Sequence, residues 1–489
     1  MKAKLKSLFL VIIAIIGLQS CEDQDDVDFP ADLKVKDFIW KGLNQYYLWQ
    51  ADVPNLNDNR FANQDALNSF LEGYSNPEDL FEDLLYRPES KYPNGAVDRF
   101  SWIVKDYTVL EQELQGTSKS NGVDFRLSRI SQNSNDLIGF VRYILPNSDA
   151  ASKDIKRGDI FTGVNGAKLT ISNYQSLLSA DSYTLNMADL NGTTITPNDI
   201  SVSLTKTVLD ENPIFISKVI VSGSYKIGYL MYNGFYANYD QQLNAAFAKL
   251  KSEGVTDLVL DLRYNGGGSV QSATYLASMI TGQFKNQIFS KQKWNNKINE
   301  YFASEDAELL NNRFTDKIGS TSINSLNLNR VYILTSDATA SASELVINGL
   351  TPYISVVQIG DRTVGKNVGS ITLYDSETFT KKNVNRRHKY AMQPLVLKIV
   401  NASDFGEYTD GLEPNYEQLE YISNMGILGE PSEPLLGLAI SKITGATSKR
   451  VQTNRGQALP TFIDSKSMGG IRNQMYLEKA PEGLLKALK

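Results

Sequence analysis

The chain has 489 residues, a formal net charge of −6, and only one cysteine and one histidine. That count rules out an internal disulfide and zinc sites built from Cys and His ligands, and nothing suggests a cofactor or metal. The mild negative charge without a long basic run argues against nucleic acid as a partner. An apolar content of 42% is ordinary for a globular chain, and the length suggests roughly three domains at about 150 residues each.

Lys2, Lys4 and Lys6 precede eleven apolar residues, Leu8 to Leu18, and then Gln19-Ser20-Cys21. Eleven residues are too few to span a bilayer as a helix, so residues 1–20 read as a processed export signal. The run Leu18-Gln19-Ser20-Cys21 resembles a bacterial lipobox, which implies that Cys21 becomes the lipidated first residue of the mature protein. An ordinary secretory signal that happens to contain Cys21 is the alternative. The acidic stretch over 21–29 predicts a solvated tether. It resembles the outer-surface export signals of some Gram-negative lipoproteins, although a spacer facing the periplasm fits equally well. Either way the expected location is the cell envelope, with a lipid anchor in the outer membrane.

Over 30–115 the apolar spacing is helical. Phe38, Ile39, Leu43, Tyr46, Tyr47 and Trp49 recur at three- and four-residue intervals, as do Leu67, Phe70 and Leu71. Pro77, Pro88 and Pro93 break the pattern into short elements. A small helical domain is predicted, closed by the polar, turn-rich stretch Gly116 to Gly122.

Residues 116–207 change to strand-like runs. Ser148-Asp149-Ala150-Ala151, then Arg157-Gly158-Asp159, then Asn165-Gly166 follow the order of a PDZ domain, which this segment resembles. The resemblance implies peptide binding by strand addition. It puts Gly122-Val123-Asp124-Phe125 at the carboxylate-binding loop and Thr170 to Ala180 at the groove helix. Asp124 stands where the family has glycine and would set a negative charge beside a bound carboxylate. A purely structural role for the module is the alternative.

Residues 208–425 read as alternating α/β. Ile227 to Tyr232 and Leu258 to Leu262 are strands, and Tyr239 to Lys251 is an amphipathic helix. The second strand runs into Arg263-Tyr264-Asn265-Gly266-Gly267-Gly268 and a helix. Strand, glycine loop and helix present backbone N–H groups to an anion, although a tight turn needs glycines too. No Lys-Ser/Thr pair follows, so a phosphate loop is disfavoured. The apolar run Val331 to Leu334 precedes Ser341-Ala342-Ser343-Glu344, and Val356 to Ile359 precedes Gly365-Lys366. Taken alone, Ser341 and Glu344 form a capping box and Lys366 is a solvated loop lysine. Ser343 competes with Ser341 as a nucleophile, but it stands twenty-three residues before Lys366 rather than twenty-five, so Ser341 is favoured. His388, in Arg386-Arg387-His388-Lys389, reads as part of an exposed turn.

The order of these motifs resembles the C-terminal-processing (tail-specific) serine peptidases. It runs from Asp261-Leu262-Arg263-x-Asn265-x-Gly267-Gly268 through Ser341 and Lys366 to Asp410-Gly411-Leu412-Glu413-Pro414. The resemblance implies a multidomain α/β fold: a small helical N-domain, a PDZ-like β-rich module and a Ser–Lys peptidase domain with a mixed sheet. It also implies a protein or peptide substrate, with Ser341 as nucleophile, Lys366 as general base, and the N–H groups of Ala342 and Gly267 as oxyanion donors. A lysine base must be neutral, so its environment must disfavour the ammonium by roughly 3–4 kcal/mol. The glutamine commonly found four residues after the lysine is Ser370 here, which leaves the third member open between Ser370 and Asn367. Tricorn-type relatives use a histidine upstream of the serine, and none exists in this chain. A non-catalytic peptide-binding lipoprotein built on the same scaffold is the competing reading. Residues 426–489 follow as a C-terminal extension with one apolar helix-like stretch, Leu435 to Ile443.

Overall fold

The computed structural model describes residues 31–192, 194–446, 459–468, 474–478, 480 and 484. The export signal, Cys21 and the acidic tether lie outside the described residues. Among the described residues no helix is long and apolar enough to cross a membrane.

The N-terminal part is helical as its periodicity predicts, with helices Ala31–Tyr46, Gln64–Leu71, Pro77–Asp83 and Tyr107–Glu113. Ile39, Leu43 and Tyr47 lie on one buried stripe, and the Asn63 and Asn76 side chains cap the second and third helices. This part is not separate from the rest. Its strand Trp102–Val104 pairs antiparallel with Ala391–Gln393, which carries the run Asp98–Ser101 onto the larger α/β part.

The boundary expected at Gly116 to Gly122 is instead largely a strand. Thr117–Ser120 pairs antiparallel with Thr207–Asp210, so the chain's entry to and exit from the middle module zip together. The residues are polar because this two-stranded ribbon is mostly solvent-facing; backbone pairing alone accounts for it. Beyond it, strands Val123–Arg129, Leu137–Ile144, Ile160–Val164, Ser182–Asn191 and Thr194–Thr205 form one sheet, beside the short helix Tyr174–Ser179.

The α/β part centres on a six-stranded sheet in the order 214–222, 225–232, 257–261, 330–335, 355–360 and 416–417. The first strand is antiparallel to its neighbour and the others are parallel. Side chains alternate between faces with period two. Leu230, Leu258, Leu260, Val331 and Ile333 pack beneath helices Asp240–Ser252, Val270–Thr281 and Ala342–Leu350. Tyr229, Met231, Val259, Tyr332 and Leu334 pack beneath helix Pro434–Thr444. Burial on both faces is why these strands read as continuous apolar runs.

A second six-stranded sheet has the order 268–269, 475–476, 368–370, 395–401, 288–294 and 311–313. The C-terminal region is therefore no appendage. Helix Pro434–Thr444 completes the main sheet, Thr461–Asp464 joins the middle module and Met475–Tyr476 joins the second sheet.

Candidate active site

The glycine loop and Ser341 leave the C-terminal ends of two adjacent parallel strands, Asp257–Asp261 and Arg330–Thr335, where open α/β sheets build their sites. A buried ionic cluster holds the first strand end. Arg263 contacts Asp261 at 2.8 Å, Glu433 at 2.7 Å and Glu420 at 3.1 Å. Arg157, from the middle module, reaches Glu420 and the Tyr264 hydroxyl. Arg263 and Asp261 are fully buried, so each charge depends on the others for compensation.

Ser341 sits on the turn into helix Ala342–Leu350 with φ +67° and ψ −116°, a strained conformation for a residue with a Cβ. Its Oγ is buried and makes no hydrogen bond. Ser343, the competing nucleophile, donates to the Asn265 carbonyl at 3.0 Å. The structure thus separates two serines that sequence alone left close: one hydroxyl ties down the glycine loop and the other is uncommitted. The expected capping box is present: Glu344 accepts from Ser341 N–H at 2.7 Å, while Ser341 Oγ faces the Glu344 N–H without reaching hydrogen-bond geometry.

Glu344 does considerably more than cap. One carboxylate oxygen accepts from the N–H groups of both Ser341 and Lys366, at 2.7 and 2.8 Å. The other accepts from Gly365 N–H and the Thr363 hydroxyl, at 2.7 and 2.5 Å. A single buried carboxylate therefore fixes the serine turn against the lysine loop. Burial pushes its pKa up, and the four donated bonds pull it back. The stretch around Gly411 supports the same loop, because Leu412 N–H donates to Thr363 Oγ1 at 2.7 Å.

Lys366 is buried, and burial pulls its pKa from 10.5 down to about 7. Asp98 and Glu344 resist that fall, and Arg99 assists it. Its Nζ lies 4.8 Å from the Phe100 ring centre, and Arg99 donates to the Gly365 carbonyl at 2.8 Å. Three groups from the helical N-terminal part thus set the state of a lysine some 270 residues later in the chain. No local signal around Lys366 reveals them.

The side chains of the two expected third members, Asn367 and Ser370, are each bonded to another group. Asn367 donates to the Gly406 carbonyl at 2.5 Å, and Ser370 donates to Gln393 Oε1 at 3.0 Å. The glutamine of this neighbourhood is therefore Gln393, on the strand that pairs with Trp102–Val104, itself bound to Thr372 at 2.8 Å. His388 is half-buried rather than exposed, with one ring nitrogen 2.7 Å from Asp375 and the other accepting from Tyr390 N–H at 3.0 Å. Both nitrogens are occupied.

The oxyanion expectation needs correction at one donor. Gly267 N–H is turned to Asn265 Oδ1 at 2.8 Å, whereas Gly268 N–H points to the Gln474 carbonyl at 2.5 Å. Ala342 opens its helix, where an N–H has no partner within the helix. Gly267 lies at φ +107°, and a Cβ there would stand 2.6 Å from Ser341 Cβ and 2.9 Å from its Oγ. Glycine is therefore required for the loop to approach the serine so closely.

The loop expected to hold a peptide carboxylate is closed. Gly122 N–H donates to Ser120 Oγ at 3.0 Å, Val123 N–H to Asn121 Oδ1 at 3.1 Å, and Phe125 N–H to Ser465 Oγ at 3.1 Å. Asp124 is buried against Arg142 at 2.5 Å. Its charge is compensated internally instead of confronting a ligand.

A serine on a strained strand-to-helix turn, packed against a glycine loop at the strand ends of an α/β sheet, is an arrangement in which α/β hydrolytic enzymes present a nucleophile. The model of peptidase family S41 matches residues 226–383, and that of the S41 N-terminal domain matches residues 34–102. Among curated proteins, the chain is 25% identical over 251 residues to a chloroplastic carboxyl-terminal-processing peptidase of Arabidopsis thaliana, covering 50% of this chain and 47% of that protein. It is also 25% identical over 168 residues to a carboxyl-terminal-processing protease of Picosynechococcus, covering 34% of this chain and 36% of the relative. The chain thus spans about half the length, or less, of these curated relatives. A Bacteroides fragilis protein assigned to the S41 proteases has a crystal structure that superposes with a TM-score of 0.62 at 26% identity, covering 83% of this chain and 97% of that one. Residues 226–383 thus match peptidase family S41, whose carboxyl-terminal processing members are serine peptidases.

Proposed function

We propose that this chain is a serine endopeptidase that uses Ser341 and Lys366 as a catalytic dyad. The observation that carries the proposal is the Glu344 clamp, which joins an uncommitted buried serine to a buried lysine whose pKa falls to about 7. Neutral Lys366 accepts the Ser341 proton as Oγ attacks a peptide carbonyl. Ala342 N–H at the helix start and an N–H of the glycine loop stabilise the developing oxyanion. Lys366 then protonates the leaving amine, and water resolves the acyl-enzyme. Ser341 Oγ makes no bond to Lys366 in this state; catalytic hydrogen bonds commonly tighten only when substrate is bound.

The substrates proposed are exported proteins or peptides, cut near their C-termini as the names of the relatives suggest. The chain itself would be held in the cell envelope through a lipid on Cys21, and the middle module would act as a PDZ-like peptide holder. An unstructured protein substrate tests the reading. Wild type should cleave it, and Ser341→Ala and Lys366→Ala should not. Equal cleavage by all three would end the proposal and favour the non-catalytic binding scaffold. Mass spectrometry of the mature protein showing an unmodified Cys21 would remove the anchor.

A further inference from the structure

Two short stretches of the C-terminal region join two sheets as added strands. Thr461–Asp464 pairs antiparallel with Val123–Arg129, with Thr461 opposite Ser128 and Asp464 opposite Arg126. Phe462 packs edge-on against Tyr174 of the short helix Tyr174–Ser179, with ring centres 5.2 Å apart. This stretch therefore lies between strand and helix of the middle module. Ser465 Oγ takes the Phe125 N–H, and Arg126 grips Asp464 at 2.6 Å.

The second stretch reaches Ser341. Met475–Tyr476 lies between Gly268–Ser269, which follow the glycine loop, and Val368–Ser370, which follow Lys366. It runs parallel to both, with Gly268 opposite Met475 and Ser370 opposite Tyr476. Leu477 N–H donates to the Ser370 carbonyl at 3.0 Å, and the Gln474 carbonyl accepts from Gly268 N–H at 2.5 Å. Gln474 O and Ser341 Oγ lie 2.2 and 2.9 Å from the single point that a Cβ on Gly267 would occupy. A backbone carbonyl is thus seated on a glycine-loop amide beside the nucleophile. Met475 is fully buried, the Tyr476 hydroxyl donates to the Leu114 carbonyl at 3.1 Å, and Ser269 Oγ bonds Glu478.

We infer that Gln474–Glu478 is a resident occupant of the peptide slot at Ser341, bound as an extended strand where a substrate peptide would lie, so that outside peptide enters only after this segment leaves. The inference rests on the peptidase reading of Ser341. Backbone pairing on both sides reads no sequence, and the buried Met475 seat selects an apolar residue. The entering partner is therefore an extended peptide with one apolar side chain at that seat. Anchoring Thr461–Asp464 on the middle module keeps the segment nearby and raises its effective concentration over a free peptide. The same anchoring means that a ligand taking the middle module's edge would also loosen the slot.

The test uses the full chain with Ser341→Ala to prevent turnover, and a fluorescein-labelled Gln-Met-Tyr-Leu-Glu peptide followed by anisotropy. Ser341→Ala should exclude the peptide and Met475→Asp/Ser341→Ala should bind it. With Ser341 intact, Met475→Asp should cleave an unstructured protein at least tenfold faster than wild type. Equal peptide binding by the two Ser341→Ala proteins, or binding by neither, would overturn the inference. Peptide binding gained without cleavage by any Ser341-containing chain would leave the slot standing and sink the peptidase reading. Because a buried aspartate can unfold the protein, hydrogen exchange on Ser341→Ala alone gives a second measure. Saturating unstructured protein should strip protection from the Leu477 amide, and unchanged protection there would refute displacement.

Discussion

Lys366→Met should make the protein more stable while removing its proposed activity. Burial draws the amine's half-protonation point from 10.5 to about 7. Between those two pH values the unfolded chain holds a proton that the folded chain has released, so stability rises with pH across the window. Below about 7 the full penalty applies, roughly 5 kcal/mol at about 1.4 kcal/mol per pH unit; above about 10.5 it vanishes. Methionine keeps a similar length without a charge to desolvate. Lys366→Met should therefore exceed wild type by about 3–5 kcal/mol at pH 6, with the gain shrinking at pH 9 and disappearing near pH 10.5. Guanidinium unfolding of both chains at several pH values, followed by tryptophan fluorescence, measures it. A gain that does not change with pH, or a less stable variant at pH 6, would refute the claim that Lys366 is held against protonation.

Cleavage by wild type should rise with pH through about 7 as Lys366 loses its proton. Glu344→Gln removes the negative charge that helps keep Lys366 protonated, so that rise should move to lower pH. It also turns an amide donor toward donors, which should cost about 1–3 kcal/mol of stability and lower kcat more than it raises KM. Ser343→Ala should cost about 1 kcal/mol by freeing the Asn265 carbonyl, yet retain cleavage within severalfold; loss as complete as in Ser341→Ala would reverse the assignment of the two serines. Gly267→Ala should abolish cleavage and destabilise by about 1–3 kcal/mol, because its φ is positive and its Cβ would press on Ser341. An active Gly267→Ala enzyme would show that the glycine loop does not touch the site.

Much of the fold was legible locally. The runs Leu258 to Leu262 and Val331 to Leu334 are strands because both faces of their sheet are covered, which forces apolar residues at every position. The small helical domain was equally plain from its periodicity. The short strands were not legible. Thr117–Ser120, Thr461–Asp464 and Met475–Tyr476 have two to four residues each, too few to show a period, and they exist because a neighbouring edge needed its backbone groups paired. That is why residues 444–489 carried no message in the sequence.

The sequence by itself nominated the proposed reacting groups, through the motif order that resembles the C-terminal-processing peptidases. With one histidine and one cysteine in the whole chain, a lysine is the base that the motif order leaves for Ser341. The tertiary structure alone decided how those groups stand. Phe100 and Asp98 come from the N-terminal part to bury and balance Lys366, Glu344 binds two distant loops with one carboxylate, and Gln474 brings its carbonyl to the glycine loop. A pKa and an occupied slot depend on what surrounds a residue in space, and no segment of chain carries its surroundings with it.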